Sequence, residues 1–113
     1  MAYYLLQATY SQEARTGMIN NPHNREPEVR KVVEGLGGSL ESFWFSFGEY
    51  DIVAVAQFPD NSSATALALA VSAAGAVSNT RITPLMTGNE GAAAMQKAAD
   101  ADYRHPHHPE AGQ

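Results

Sequence analysis

The sequence predicts a ferredoxin-like α+β fold, in which a four-stranded antiparallel sheet carries its helices on one face. Two observations support this prediction. The predicted elements follow the order strand, helix, strand, strand, helix, strand, and glycine, proline and asparagine clusters separate them. With 113 residues, the chain forms one domain with a limited core.

The first strand is predicted over residues 3–10, where aromatic and branched side chains dominate. Ser11 is a suitable N-cap for a short helix that runs to Met18. The Asn-Asn-Pro sequence at 20–22 then breaks the chain. We therefore expect a short connecting helix before the main helix of this half.

That main helix is predicted over residues 26–36, because valine and leucine recur there at i, i+3, i+4 and i+7. Gly37 and Gly38 follow it directly. Glycine readily adopts the left-handed backbone that ends many helices, so we expect the helix to stop here.

Two strands, over residues 40–47 and 51–58, are predicted to form a hairpin with Gly48 as the pivot of its turn. The second strand is almost continuously apolar. Alternation along the first strand predicts one face with Leu40, Ser42, Trp44 and Ser46, and the other with Glu41, Phe43, Phe45 and Phe47.

A helix over residues 62–74 and a fourth strand over 76–85 complete the fold. Thr87 and Glu90 have the spacing of a capping box. They open an extra, alanine-rich helix that we expect over 89–103, packed on a surface groove or on a partner.

The predicted organisation is a domain over residues 1–87, a C-terminal helix over 88–104 and a disordered tail over 105–113. The tail contains His105, His107 and His108. These histidines have no fixed scaffold, so we predict neither a physiological metal site nor a cofactor.

The strands are apolar on both faces, whereas the predicted helices cover only one. In the first strand, Tyr3 and Leu5 lie on one face and Tyr4 and Leu6 on the other. The uncovered face is most simply buried against the same face of a second copy. We therefore predict a homo-oligomer, dimeric or larger, that assembles through its sheets into an α+β barrel.

The amino-acid composition limits the kinds of partner that this protein can bind. The net charge is −5, the basic residues are scattered and cysteine is absent, which argues against nucleic-acid binding and excludes disulfides and thiolate sites. The longest apolar run, at 64–76, is too short to cross a bilayer. The N-terminus lacks the features of a signal peptide, so a cytoplasmic location without membrane contact is expected.

The sequence Gly48-Glu49-Tyr50-Asp51, followed by the strand 52–55 and by Pro59-Asp60, resembles the GYD domain family of small bacterial proteins. The resemblance covers roughly residues 3–87 and includes the final strand at 81–85. It implies a member of the dimeric α+β barrel superfamily with no agreed activity. That superfamily contains cofactor-independent monooxygenases, isomerases, haem enzymes and effector-binding modules, so the fold does not select one function.

Glu49, Asp51 and His23 are the candidate catalytic residues. A pair of carboxylates at the mouth of a strand, with a histidine in a nearby loop, suits general acid–base chemistry. The alternative is structural: Asp51 caps backbone donors in the turn and His23 is simply solvated.

Candidate ligand-binding residues are Trp44, Tyr50, Arg81 and Tyr4. Aromatic side chains suit an apolar pocket, and Trp44 is favoured because its indole needs a hydrogen-bond partner. Arg81 suits a ligand carboxylate, or else an ion pair with Asp51 or Glu49. The alternative is that the aromatic residues, including the phenylalanines of the hairpin, belong to the core.

These features favour a small oligomeric protein that binds an apolar or aromatic metabolite. The alternatives are a cofactor-independent monooxygenase or isomerase, and a structural protein whose last helix binds a neighbour.

Overall fold

The computed structural model describes residues 1–103 and has the predicted ferredoxin-like architecture. Its sheet has the strand order β2-β3-β1-β4, and every neighbouring pair is antiparallel. The elements in chain order are β1 (Ala2–Tyr10), α1 (Gln12–Asn20), α2 (Glu26–Gly35), β2 (Ser39–Phe45), β3 (Ile52–Phe58), α3 (Asn61–Ala73), β4 (Val77–Leu85) and α4 (Gly88–Asp100).

The core lies between the sheet and the helices, because alternate residues of β1 and β3 point toward α2 and α3. Val33 of α2 and Leu67 of α3 are buried there in the same cluster as Phe58 and Ala56 of β3. Tyr4 joins this core with its ring edge-on to Phe58, at a centroid distance of 5.7 Å. We call this covered side of the sheet the helix face.

Strand β2 departs from simple alternation. Its pairing with β3 shifts register between Leu40 and Ser42, which is a β-bulge. Residues that are paired across two neighbouring strands point to the same face of the sheet. Leu40, Phe43 and Phe45 are paired with Ala56, Ala54 and Ile52, so they lie on the helix face. The prediction that Leu40 shares a face with Trp44 is therefore wrong, whereas the separation of Trp44 from Phe43 and Phe45 is confirmed.

The element ends follow local chemistry. Ser11 caps α1, and the capping box of Thr87 and Glu90 is present at the start of α4. Gly37 has a φ of 83°, which supplies the predicted left-handed end of α2. The connection between β2 and β3 spans residues 46–51 and bends at 47–49, so Gly48 lies at the centre of the bend as predicted, although its φ is not positive.

A set of side chains from all four strands points away from the helices, and we call this side of the sheet the open face. Within residues 1–103 no helix covers the open face, and no residue of α4 itself is buried. The apolar members of the open face are Tyr3, Leu5, Trp44, Val53, Val55 and Leu85. They are exposed or half-buried, with Trp44 at 66% exposure.

Two further observations bear on the sequence predictions. None of the helices in residues 1–103 has both the length and the apolarity of a membrane span. Helix α4 ends at Asp100, three residues before the predicted end at Tyr103. The predicted tail at 105–113, with its three histidines, lies outside the described residues.

Candidate functional site

Asp51 joins three segments of the chain. Its Oδ2 accepts a hydrogen bond of 3.0 Å from the backbone N–H of Tyr10 and another of 3.0 Å from Nη2 of Arg15. Its own N–H donates to the carbonyl of Ala8 at 2.8 Å. The register of β1 against β4 shifts between Thr9 and Tyr10, and the carboxylate satisfies the Tyr10 donor at that irregularity.

These contacts place Asp51 at the edge of an open groove of about 630 Å³ between α1, the loop after it and the end of β2. The apolar residues that border it come from α1, the following loop and the end of β2: Met18, Ile19, Pro22, Phe43, Phe45 and Phe47. The three phenylalanines among them form what we call the aromatic wall. The polar residues are Tyr10, Arg15, His23, Arg25 and Asp51. We call this cavity the groove; it has the size of a small-molecule site.

The aromatic wall is accessible to a ligand. Phe45 and Phe47 are 57% and 94% exposed, and their rings pack edge to face at a centroid distance of 5.4 Å. Exposed phenylalanine rings keep apolar surface in water, which a bound apolar molecule would remove. The pair is therefore a candidate surface for stacking an aromatic group.

Arg25 lies just before α2 and is half-buried. Arg25 and Tyr10 border both the groove and a smaller apolar cavity of about 100 Å³ between the sheet and α3, and we call the part of the groove beside them its inner end. The Nε of Arg25 is fully enclosed and has no hydrogen-bond partner among residues 1–103. An enclosed donor without a partner costs about 1–3 kcal/mol. Because solvent does not reach Nε, an acceptor in the groove would meet the terminal nitrogens of the guanidinium, which are not enclosed.

Tyr10 stands beside Arg25 in both cavities. Burial raises the pKa of its phenol above the ordinary value; the charge of Arg25 opposes this rise, and the charges of Asp51 and Glu28 add to it. The phenol is therefore protonated at neutral pH and is available as a hydrogen-bond donor.

His23 is held at the rim of the groove. Its Nδ1 lies 3.0 Å from the carbonyl of Asn21, and its Nε2 lies 3.1 Å from Oε2 of Glu28. Both ring nitrogens therefore face acceptor oxygens of the protein itself, and the tautomer decides which of the two contacts is a hydrogen bond. His23 and Asp51 thus border the same groove, but both are engaged in contacts within the protein.

Glu49 and Tyr50, which precede Asp51 in the Gly48–Asp51 segment, do not point into the groove. Glu49 is exposed and does not border the groove; its carbonyl accepts a hydrogen bond of 3.0 Å from Oγ1 of Thr9. Tyr50 is buried, and its carbonyl accepts a hydrogen bond from the hydroxyl of Ser46. The proposed pairing of Glu49 with Asp51 is not brought about by this turn.

The other three predicted ligand-binding residues, Trp44, Arg81 and Tyr4, do not border the groove and are not close to one another. The pairings of Trp44 with Val53, Val53 with Gln7 and Gln7 with Arg81 form one row across the open face. Trp44 and Arg81 are three strand spacings apart in this row, roughly 14 Å. Tyr4 lies on the other side of the sheet, where its hydroxyl donates to Oδ1 of Asn61 at 2.6 Å.

The ion pair of Asp51 also differs from the sequence expectation. Its cation is Arg15 of α1, whereas Arg81 is exposed on the open face. Sequence reasoning did not single out Arg15, Arg25 or Tyr10. The sequence contains one weak sign of a special role for Arg25, because this arginine directly precedes a helix that begins with Glu-Pro. Its burial, however, is evident only from the packing of the loop.

Among residues 1–103, no group of three or more histidine, aspartate and glutamate side chains comes together in a geometry for metal binding. The groove offers hydrogen-bond donors and an aromatic wall. That chemistry suits an organic molecule with one apolar and one polar end.

Comparison with known proteins agrees with this architecture. The chain matches the GYD domain over residues 4–95, so it belongs to the GYD domain family. The match extends past residue 87, into the first half of α4. Comparison with curated proteins finds no significant match.

A solved structure supports the fold. The crystal structure of FFRP-DM1 aligns with 76% of this chain and 100% of its own, at a TM-score of 0.50 and 10% identity. At this identity the similarity concerns the fold alone.

The role of Asp51 can be tested by comparing it with its ion-pair partner. Asp51→Ala leaves the Tyr10 N–H without its acceptor, so we expect the free energy of unfolding to fall by about 1–3 kcal/mol. Arg15→Ala removes a half-exposed ion pair and a long hydrogen bond of 3.4 Å to the Tyr10 carbonyl, so we expect a loss of less than about 1 kcal/mol. Urea unfolding measures both values, and Asp51→Asn, which keeps an acceptor oxygen, should recover part of the loss. Equal losses in Asp51→Ala and Arg15→Ala would contradict the backbone role.

Proposed function

We propose that this protein binds a small aromatic or apolar metabolite in the groove. The main support is the combination of an exposed phenylalanine pair with hydrogen-bond donors at the inner end of the same cavity. A molecule with a ring and a polar substituent would cover the phenylalanines while its substituent reached Arg25 and Tyr10.

Binding has more support than catalysis. A cofactor-independent monooxygenase or isomerase needs a free base that faces its substrate. His23 and Asp51 do border the groove, but His23 has an acceptor at each nitrogen and Asp51 is held by Arg15 and Tyr10. Catalysis by these two residues would require those contacts to break first.

We further propose that two copies pack through their open faces. The apolar centre of this face, around Leu5, Val53 and Val55, is bordered by polar side chains. Arg81 lies on β4 at one edge of the sheet, and Glu41 lies on β2 at the other. A two-fold axis parallel to the strands would bring β2 of one copy over β4 of the other. Arg81 is level with Val53, whereas Glu41 lies between the levels of Val55 and Ala56. The two charges would therefore attract each other across the interface without forming a direct pair, which favours a second copy as the partner.

In such a dimer, Trp44 and Arg81 would belong to the interface, whereas the groove would remain accessible. A structural role for α4 fits the same assembly, since Met95 is exposed on a helix that buries no residue of its own chain. Assembly and ligand binding are therefore compatible proposals for different surfaces.

The binding proposal is tested with 2-naphthamide, a neutral aromatic probe. In a titration followed by backbone amide NMR, we expect shifts at Phe45, Arg25 and their neighbours in the groove. Phe45→Ala should weaken affinity by about 10-fold, because it removes an aromatic contact. Leu69→Ala, at an exposed site on α3, is the control and should bind like the wild type. Shifts confined to the surface around Trp44, or no binding, would refute the groove as the site.

The assembly proposal is tested by sedimentation velocity. We expect the wild type to sediment as a dimer or larger species, and Val55→Arg to sediment as a monomer, because a charge at the centre of the open face opposes its burial. Leu69→Arg places the same charge outside that face and should leave the assembly intact. A monomeric wild type at micromolar concentration would overturn the proposal.

A further inference from the structure

Arg25 differs from the other arginines of the described chain in combining burial with the lack of a partner. Arg15 pairs with Asp51, and Arg30 pairs with Glu26 at 2.7 Å and donates to the carbonyl of Leu40 at 3.2 Å. Arg81 is exposed to solvent. Arg25 is half-buried, borders two cavities and has an enclosed Nε without an acceptor among residues 1–103.

The charged side chains that border the groove sum to a sign opposite to that of the whole molecule. The chain has a net charge of −5, yet two arginines and one aspartate border the groove. Asp51 is already paired with Arg15, and Glu28, which does not border the groove, contacts Nε2 of His23. Within residues 1–103 no carboxylate is in ion-pair contact with Arg25, so an anionic group in the groove would supply its first ion-pair partner.

The aromatic wall restricts what that anion carries. Phe43, Phe45 and Phe47 border the same cavity as Arg25, so a ligand that reaches the guanidinium also contacts aromatic rings. A planar carboxylate matches the fork of a guanidinium and accepts two parallel hydrogen bonds. The protonated phenol of Tyr10 supplies a neutral donor at the same end of the groove.

We infer that the groove is selective for aromatic carboxylates and that Arg25 is the residue that binds the carboxylate. This inference rests on the proposed function of the groove as an aromatic-ligand site and adds the chemical class of the ligand. Arg25 is then a specificity-determining residue, whereas the aromatic wall provides affinity for the ring irrespective of charge.

The experiment compares two probes of nearly equal shape, 2-naphthoate and 2-naphthamide, by isothermal titration calorimetry at pH 7. The wild type should bind the acid about 10- to 100-fold more tightly than the amide, because hydrogen bonds to a charged group are the stronger ones. Arg25→Met should remove this preference while changing the affinity for the amide by less than about 3-fold. Arg25→Lys keeps the charge without the fork and should retain an intermediate preference.

Lys31→Met is the matched control, because it removes the same charge from the exposed side of α2. It should keep the preference of the wild type, which separates a specific contact from the overall charge of the protein. Circular dichroism and the thermal midpoint verify that each variant is folded. If Arg25→Met fails to fold, the acid-to-amide ratio of the wild type and the behaviour of Arg25→Lys still decide the question.

The outcomes separate the two proposals. Equal binding of acid and amide in the groove of the wild type would overturn the carboxylate inference and leave the proposed function standing. An acid preference that survives Arg25→Met would assign the contact to another residue and overturn the role of Arg25. Binding of neither probe would refute the proposed function, and the inference would fail with it.

Discussion

The geometry of the groove depends on one carboxylate. Asp51 directly precedes β3, and its Oδ2 accepts hydrogen bonds from both the Tyr10 backbone N–H and the Arg15 guanidinium. This contact fixes the end of β1, the start of α1 and the start of β3 relative to one another. It also neutralises Arg15 without reaching Arg25, so the inner end of the groove keeps a positive charge.

A second constraint is the way in which β2 divides its aromatic residues. The bulge after Leu40 keeps Leu40, Phe43 and Phe45 on the helix face and sends Trp44 to the open face. The phenylalanines therefore reach the groove, whereas Trp44 lies on the surface proposed for self-association. One short strand thus serves two surfaces, and substitutions in it should affect binding and assembly separately.

Local chemistry was sufficient to predict much of the fold. The capping box at Thr87, the left-handed end at Gly37 and the apolar spacing of α2 are short-range signals, and each is present in the structure.

The bulge in β2 was missed because it changes the face of Leu40 without any local mark in the sequence. The partner of Asp51 was missed because Arg15 lies 36 positions away, and only the packing of α1 brings the two together. The isolation of Arg25 depends in the same way on how the loop before α2 is packed.

The most direct test of this account is a crystal structure of the protein with 2-naphthoate. We expect the naphthalene ring against Phe45 and Phe47 and the carboxylate within hydrogen-bond distance of the Arg25 guanidinium, with the Asp51–Arg15 pair intact. A ligand on the open face beside Trp44, or a carboxylate in the groove that pairs with Arg15 in place of Asp51, would contradict it.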